Sequence, residues 1–126
     1  MKIVVVEDDK NKREFVAMYL ESNNIEMIPF VSIMPALKYV TQHFKEISGI
    51  ILDLGLVSYD DSYDYDTEKG LILVKELTRK KIEIPILINS TTEIDLPEIM
   101  RSHSNVKGQM ASNLKLLNEF INSLTN

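Results

Sequence analysis

The residues of this chain best equipped for chemistry are oxygen donors placed where apolar runs end. KIVVV (2–6) runs into Glu7, Asp8 and Asp9, GIIL (49–52) into Asp53, and IPILI (84–88) leads to Ser90 and Thr91; a weaker run, SNVK (104–107), ends at Lys107. If these runs are neighbouring parallel strands, the acids converge at one edge. Three or more carboxylates a few ångström apart cannot all ionise comfortably without a cation. A hard divalent ion suits them, Mg2+ above all, because it accepts one or two carboxylates and keeps water or phosphate oxygens as its other ligands. Asp53 as nucleophile, Asp8 holding the cation, Ser90 as hydroxyl donor and Lys107 as neutralising ammonium are then the four parts of a phosphoryl-transfer site.

The segments between the runs must position these groups. DKNKREFVAMYLESNN pairs Phe15 with Tyr19 and Val16 with Leu20 four residues apart, and Asp8 or Asp9 can cap it as a first helix. A second helix follows Ser32, tolerates Pro35 in its first turn and carries Ala36, Val40 and Phe44 on one stripe; a third spans about Thr67 to Lys81 with Leu71, Val74 and Leu77 inward. LPEIM (96–100) has room for only a short fourth helix, and Leu114, Leu117, Ile121 and Leu124 mark a fifth. IEMIPF (25–30) is the remaining strand. Unbroken apolar runs alternating with amphipathic helices predict an α/β fold: a doubly wound five-stranded parallel sheet, helices on both faces, helix four shortened. If the strand order is 2-1-3-4-5, ligands bind at the carboxyl ends of the strands where the order reverses.

Composition removes several alternatives. One domain over residues 1–126 accommodates 44% hydrophobic and 26% charged residues. No apolar run approaches the ~20 residues of a membrane span, and the N-terminus turns acidic too early for a signal peptide, so no membrane partner and a cytoplasmic location are expected. The absence of cysteine excludes disulfides, thiolate zinc sites and cysteine nucleophiles; the two separated histidines, His43 and His103, argue against a histidine metal site and read as surface residues. A net charge of −5 without a basic stripe argues against nucleic acid as a direct partner.

IVVVEDD before an amphipathic helix, IILD at the third strand, IPILINST at the fourth and a late VK together resemble the receiver domain of two-component response regulators, over essentially the whole chain. The resemblance implies that Glu7 and Asp8 are the acidic pair, with Asp8 the direct metal ligand and Glu7 acting through water. It implies that Asp53 is the phosphoacceptor, that the backbone carbonyl of Gly55 is a further Mg2+ ligand, that Ser90 follows the phosphoryl group and that Lys107 pairs with it. The function implied is acceptance of a phosphoryl group from a phosphohistidine of a sensor histidine kinase or phosphotransfer protein. The resemblance implies no enzyme activity beyond self-phosphorylation and slow loss to water, and signalling by contact with a downstream protein, a homodimer being compatible with this.

This chain is an atypical member of that pattern. Val57 stands where the family has a proline, and Gly70 follows Asp53 by 17 residues, so 56–69 reads as an insertion rich in aspartate and tyrosine, most simply a solvated loop. It does not fit a calcium-binding EF-hand loop. Ser104, Gly108 and Thr91 replace a switching aromatic, a proline and a small residue. These departures support an alternative: a pseudo-receiver, an interaction module that is not efficiently phosphorylated. A haloacid-dehalogenase-type phosphatase lacks its second acid, because that position is Gly55. A flavodoxin-type binder lacks a phosphate loop after the first strand. No attached output domain is expected, unless the chain is an excised domain.

Overall fold

In the computed structural model, residues 1–55, 67–90, 94–111 and 113–124 are described, 67–69 by their backbone alone. Five parallel strands, β1 (Lys2–Val6), β2 (Glu26–Phe30), β3 (Gly49–Leu52), β4 (Ile86–Ile88) and β5 (Val106–Gln109), form one sheet in the order β2-β1-β3-β4-β5. Five helices connect and flank them: α1 (Lys10–Ser22), α2 (Ile33–His43), α3 (Thr67–Arg79), α4 (Leu96–Ser102) and α5 (Leu114–Leu124). The expected strand order and the helices on both faces are therefore present.

Alternation along the strands splits the core in two, since successive side chains on a strand face opposite sides. Val4, Val6, Ile50, Leu52, Ile86 and Ile88 pack with residues of α2 and α3, including Ala36, Val40, Leu73 and Leu77. Ile3, Val5, Ile51 and Leu87 pack on the other side against Val16 and Leu20 of α1 and Leu117, Phe120 and Ile121 of α5. Phe120 thus takes the inward place expected for Leu114, which stays exposed. β1 and β3 are covered on both faces, as their unbroken apolar sequences require. β2 is an edge strand, which accommodates Pro29.

Local signals set the ends of the elements. Asp9 caps α1, its Oδ1 accepting from the Lys12 N–H at 3.1 Å. Asn24 then turns the chain at φ 57°, where asparagine is tolerated, and the Ile25 N–H bonds the Leu20 carbonyl at 2.9 Å. Ser32 precedes α2 without making a side-chain cap bond. Asp95 caps the seven-residue α4 through the Glu98 N–H at 3.2 Å. The chain entering β5 is held by buried Asn105, whose Nδ2 donates to the carbonyls of Ile82 at 2.6 Å and Ile84 at 3.1 Å. Among the described residues no helix is long and apolar enough to cross a membrane.

The fifth strand departs from expectation. It covers Val106–Gln109 instead of 104–107, and its pairing with β4 slips between Ile86↔Val106 and Leu87↔Gly108, leaving Lys107 in a bulge.

The acidic insertion lies outside the described residues, apart from the backbone of 67–69 that opens α3, and so does Thr91. Its two flanks are described and lie against each other. A Cβ on Gly70 would sit 2.4 Å from Leu54 Cα and 2.8 Å from Leu54 O, so only glycine lets α3 approach the segment after Asp53 this closely.

Candidate metal and carboxylate site

β1 and β3 end side by side, and their next residues bring the acids together. Val6 pairs with Leu52, Leu52 with Ile88, and Ile88 with Gln109. The ladder continues one residue further: Asp53 N–H donates to Val6 O at 2.9 Å, Asn89 N–H to Leu52 O at 2.8 Å, and Met110 N–H to Ile88 O at 2.8 Å. The row at the carboxyl edge is therefore Glu7, Asp53, Asn89, Met110.

Carboxylate oxygens of Glu7, Asp8 and Asp53 all lie within 4.8 Å of one another. Glu7 is 2% exposed and Asp53 5%, whereas Asp8 is half-buried. Glu7 Oε2 accepts from the Asp9 N–H at 3.3 Å; Oε1 is buried and has no hydrogen-bonding partner among the described residues. Asp53 Oδ1 accepts from the Gly55 N–H at 3.0 Å, a local turn that fixes this carboxylate at the strand end. Arg13 reaches back from α1, its Nη1 donating to the carbonyls of Glu7 at 3.1 Å and Asp8 at 3.4 Å, and so holds the acidic turn in place.

The electrostatics follow from this geometry. Burial, then contact with the Asp53 carboxyl group and its charge, push the Glu7 carboxyl up to about 9 from an ordinary 4.5. The Asp9 N–H and the Lys12 charge offset this only partly. A proton held between buried acids marks a place that a cation can take over. The donor set is all oxygen and includes a buried oxygen without a partner, which fits a hard divalent ion and no softer one. Glu7, Asp8 and Asp53 are the carboxylates that could hold it.

Ser90 is buried at the carboxyl end of β4, the strand next to β3, and its carbonyl accepts from Gln109 Nε2 at 2.6 Å. Lys107 is not brought to the site. The bulge puts it opposite the start of β4 instead of beyond its end, and its exposed side chain turns back so that Nζ donates to Ser104 O at 2.9 Å. The β5 residue in the row of Asp53 is Met110, 1% exposed. Sequence reading also missed Asn89 and Arg13. An asparagine after a strand reads as a turn, and Arg13 reads as one more solvent-facing charge of α1. His43 stacks on Tyr39 at 4.5 Å, and His103 Nδ1 lies 2.8 Å from Thr78 Oγ1; neither belongs to the acidic cluster. Burial, with Lys75 nearby, holds the His103 imidazole below its usual range.

No protein-family model matches this chain, and no curated protein matches it in sequence. Solved structures do match in shape. The BeF3-activated N-terminal receiver domain of Klebsiella pneumoniae RstA superposes with a TM-score of 0.74 at 19% identity, covering 100% of both chains. The receiver domain of a Francisella response regulator gives 0.73 at 21% identity, over 98% of this chain and 94% of that one. The Thermotoga maritima response regulator TrrA, in complex with Mg(2+)-BeF, gives 0.70 at 18%, over 98% and 97%. The chain has the CheY-like receiver fold.

Proposed function

We propose that the chain is a phosphoryl-accepting receiver in two-component signal transduction, with Asp53 as acceptor and Mg2+ as the cation held by Asp8, Asp53 and the Gly55 carbonyl. The observation that carries this reading is the convergence of Glu7, Asp8 and Asp53 within 4.8 Å, at the edge of the sheet where β1 and β3 end. A Mg(2+)-BeF complex of TrrA, a protein of the same fold, supports it.

In the step proposed, an Asp53 carboxylate oxygen attacks the phosphorus of a phosphohistidine on a sensor kinase or phosphotransfer protein. The new O–P bond forms as the P–N bond breaks, and the imidazole keeps the electron pair and takes up a proton. Mg2+ would offset the charge gathered on the carboxylate and phosphoryl oxygens. Ser90 follows the phosphoryl group at the end of β4. Water later cleaves the acyl phosphate slowly, returning the Asp53 carboxylate and inorganic phosphate. The added charge of about −1.5 to −2 alters the surface presented to a downstream protein.

Acetyl phosphate with Mg2+ should add one phosphoryl mass to the purified protein and none to Asp53→Asn. An unchanged mass in wild type, or the same gain in the variant, defeats the proposal. One observation favours a second reading, an interaction module without efficient phosphorylation: Lys107 Nζ is bonded to Ser104 O, away from Asp53. On that reading, partner binding is indifferent to Asp53→Asn.

A further inference from the structure

In its row Asp53 lies between Glu7 and Asn89, with Met110 beyond Asn89, and neither Asn89 nor Met110 carries a charge. The direction of their side chains follows from strand alternation, because residues two apart on a strand share a face. Ile51, Leu87 and Met110 belong to one packed cluster with Val16 and Leu117. Asp53 follows Ile51 by two residues and Asn89 follows Leu87 by two, so Asp53, Asn89 and Met110 all face that side. Met110 is sealed within the apolar cluster and has only a thioether to offer. Asn89 is 3% exposed, stands one strand from Asp53, and its carboxamide carries two N–H donors. The ammonium that would be expected to neutralise a phosphoryl group here is carried out of the row by the bulge at Lys107.

We propose that the Asn89 carboxamide takes the place of that ammonium and donates a hydrogen bond to the phosphoryl group carried by Asp53. The proposal rests on the reading of Asp53 as the phosphoacceptor. It assigns this site a neutral donor from the strand adjacent to the acceptor, in place of a cation from the next strand out. The amide orients the phosphoryl oxygens without neutralising them, so more of the charge falls on the divalent cation.

Beryllofluoride, a tetrahedral mimic of a phosphoryl group, is added with Mg2+ to the 15N-labelled chain, and the Asn89 side-chain amide resonances are followed. They should shift on addition. Phosphorylation of Asn89→Leu by acetyl phosphate should be slower by about ten- to a hundredfold, the effect of losing one hydrogen bond to a charged group, with Mg2+ affinity unchanged. The inference is overturned if the Asn89 resonances stay in place while wild type binds beryllofluoride, or if folded Asn89→Leu is phosphorylated at the wild-type rate. If Asn89→Leu does not fold, the resonances of wild type decide alone. A wild type that takes neither beryllofluoride nor a phosphoryl group overturns the reading of Asp53 itself, and this inference with it.

Discussion

Replacing Glu7 by glutamine tests whether the acidic cluster holds a proton when no cation is bound. In the native chain the Glu7 carboxyl is pushed up to about 9 from 4.5. The folded state therefore keeps a proton that the unfolded state has lost at any pH between those values. The sign is fixed by linkage: with more protons bound in the native state, stability is fully present below about pH 4.5 and declines as pH rises toward 9. Each pH unit is worth about 1.4 kcal/mol, so this group alone withholds up to about 3 kcal/mol at pH 7. Glutamine has the shape of the protonated acid. Its oxygen can accept from the Asp9 N–H, as Glu7 Oε2 does, and its amide can donate to the Asp53 carboxylate. In urea titrations with chelator, Glu7→Gln should be more stable than wild type by about 1 to 3 kcal/mol at pH 7, with the advantage vanishing near pH 4.5 and growing toward pH 9. Millimolar Mg2+ should narrow the gap, because a cation replaces the proton in wild type and finds one carboxylate fewer in the variant. A variant less stable than wild type at pH 7 in chelator, or a difference independent of pH, would refute the account of a buried acid holding a proton.

Three further substitutions probe the scaffold around the site. Lys107→Ala should leave the phosphorylation rate and stability unchanged, within about 0.5 kcal/mol, because among the described residues its Nζ bonds an exposed carbonyl; a large loss of phosphorylation would return Lys107 to the site. Asn105→Ala strips buried donors from the Ile82 and Ile84 carbonyls and should cost about 2 to 4 kcal/mol in urea unfolding, a cost near zero showing that water replaces the amide. Gly70→Ala adds helix propensity worth about 1 kcal/mol but drives a methyl into Leu54. It should lower stability by a net of about 2 kcal/mol; a raised melting temperature would mean that the segment after Asp53 yields easily.

The parts of this molecule that could be read in advance are those whose signal is local. KIVVV and GIIL could be assigned to central strands because only a strand covered on both faces tolerates such a run. Asp53 stood out because it closes one of them. Asp9 could be assigned as a cap from its position before a helix, and it does cap α1. Other features depend on how strands register far apart in the chain. SNVKGQM has no alternation strong enough to fix its register, and one extra residue in an edge strand moves every later side chain to the opposite face. That slip carries Lys107 away from the carboxyl edge and sets Met110 beside it. Asn89 stayed hidden for the same reason, since its place next to Asp53 follows from Leu52↔Ile88 and from no property of its own segment. Glu7 was recognised as an acid of the site, but the burial that keeps it protonated arises from β3 packing alongside β1. In a parallel sheet, strands are brought together by long crossovers, so the sequence near each strand end says which groups are available. The register between strands says which of them meet, and here it exchanges an expected cation for an amide.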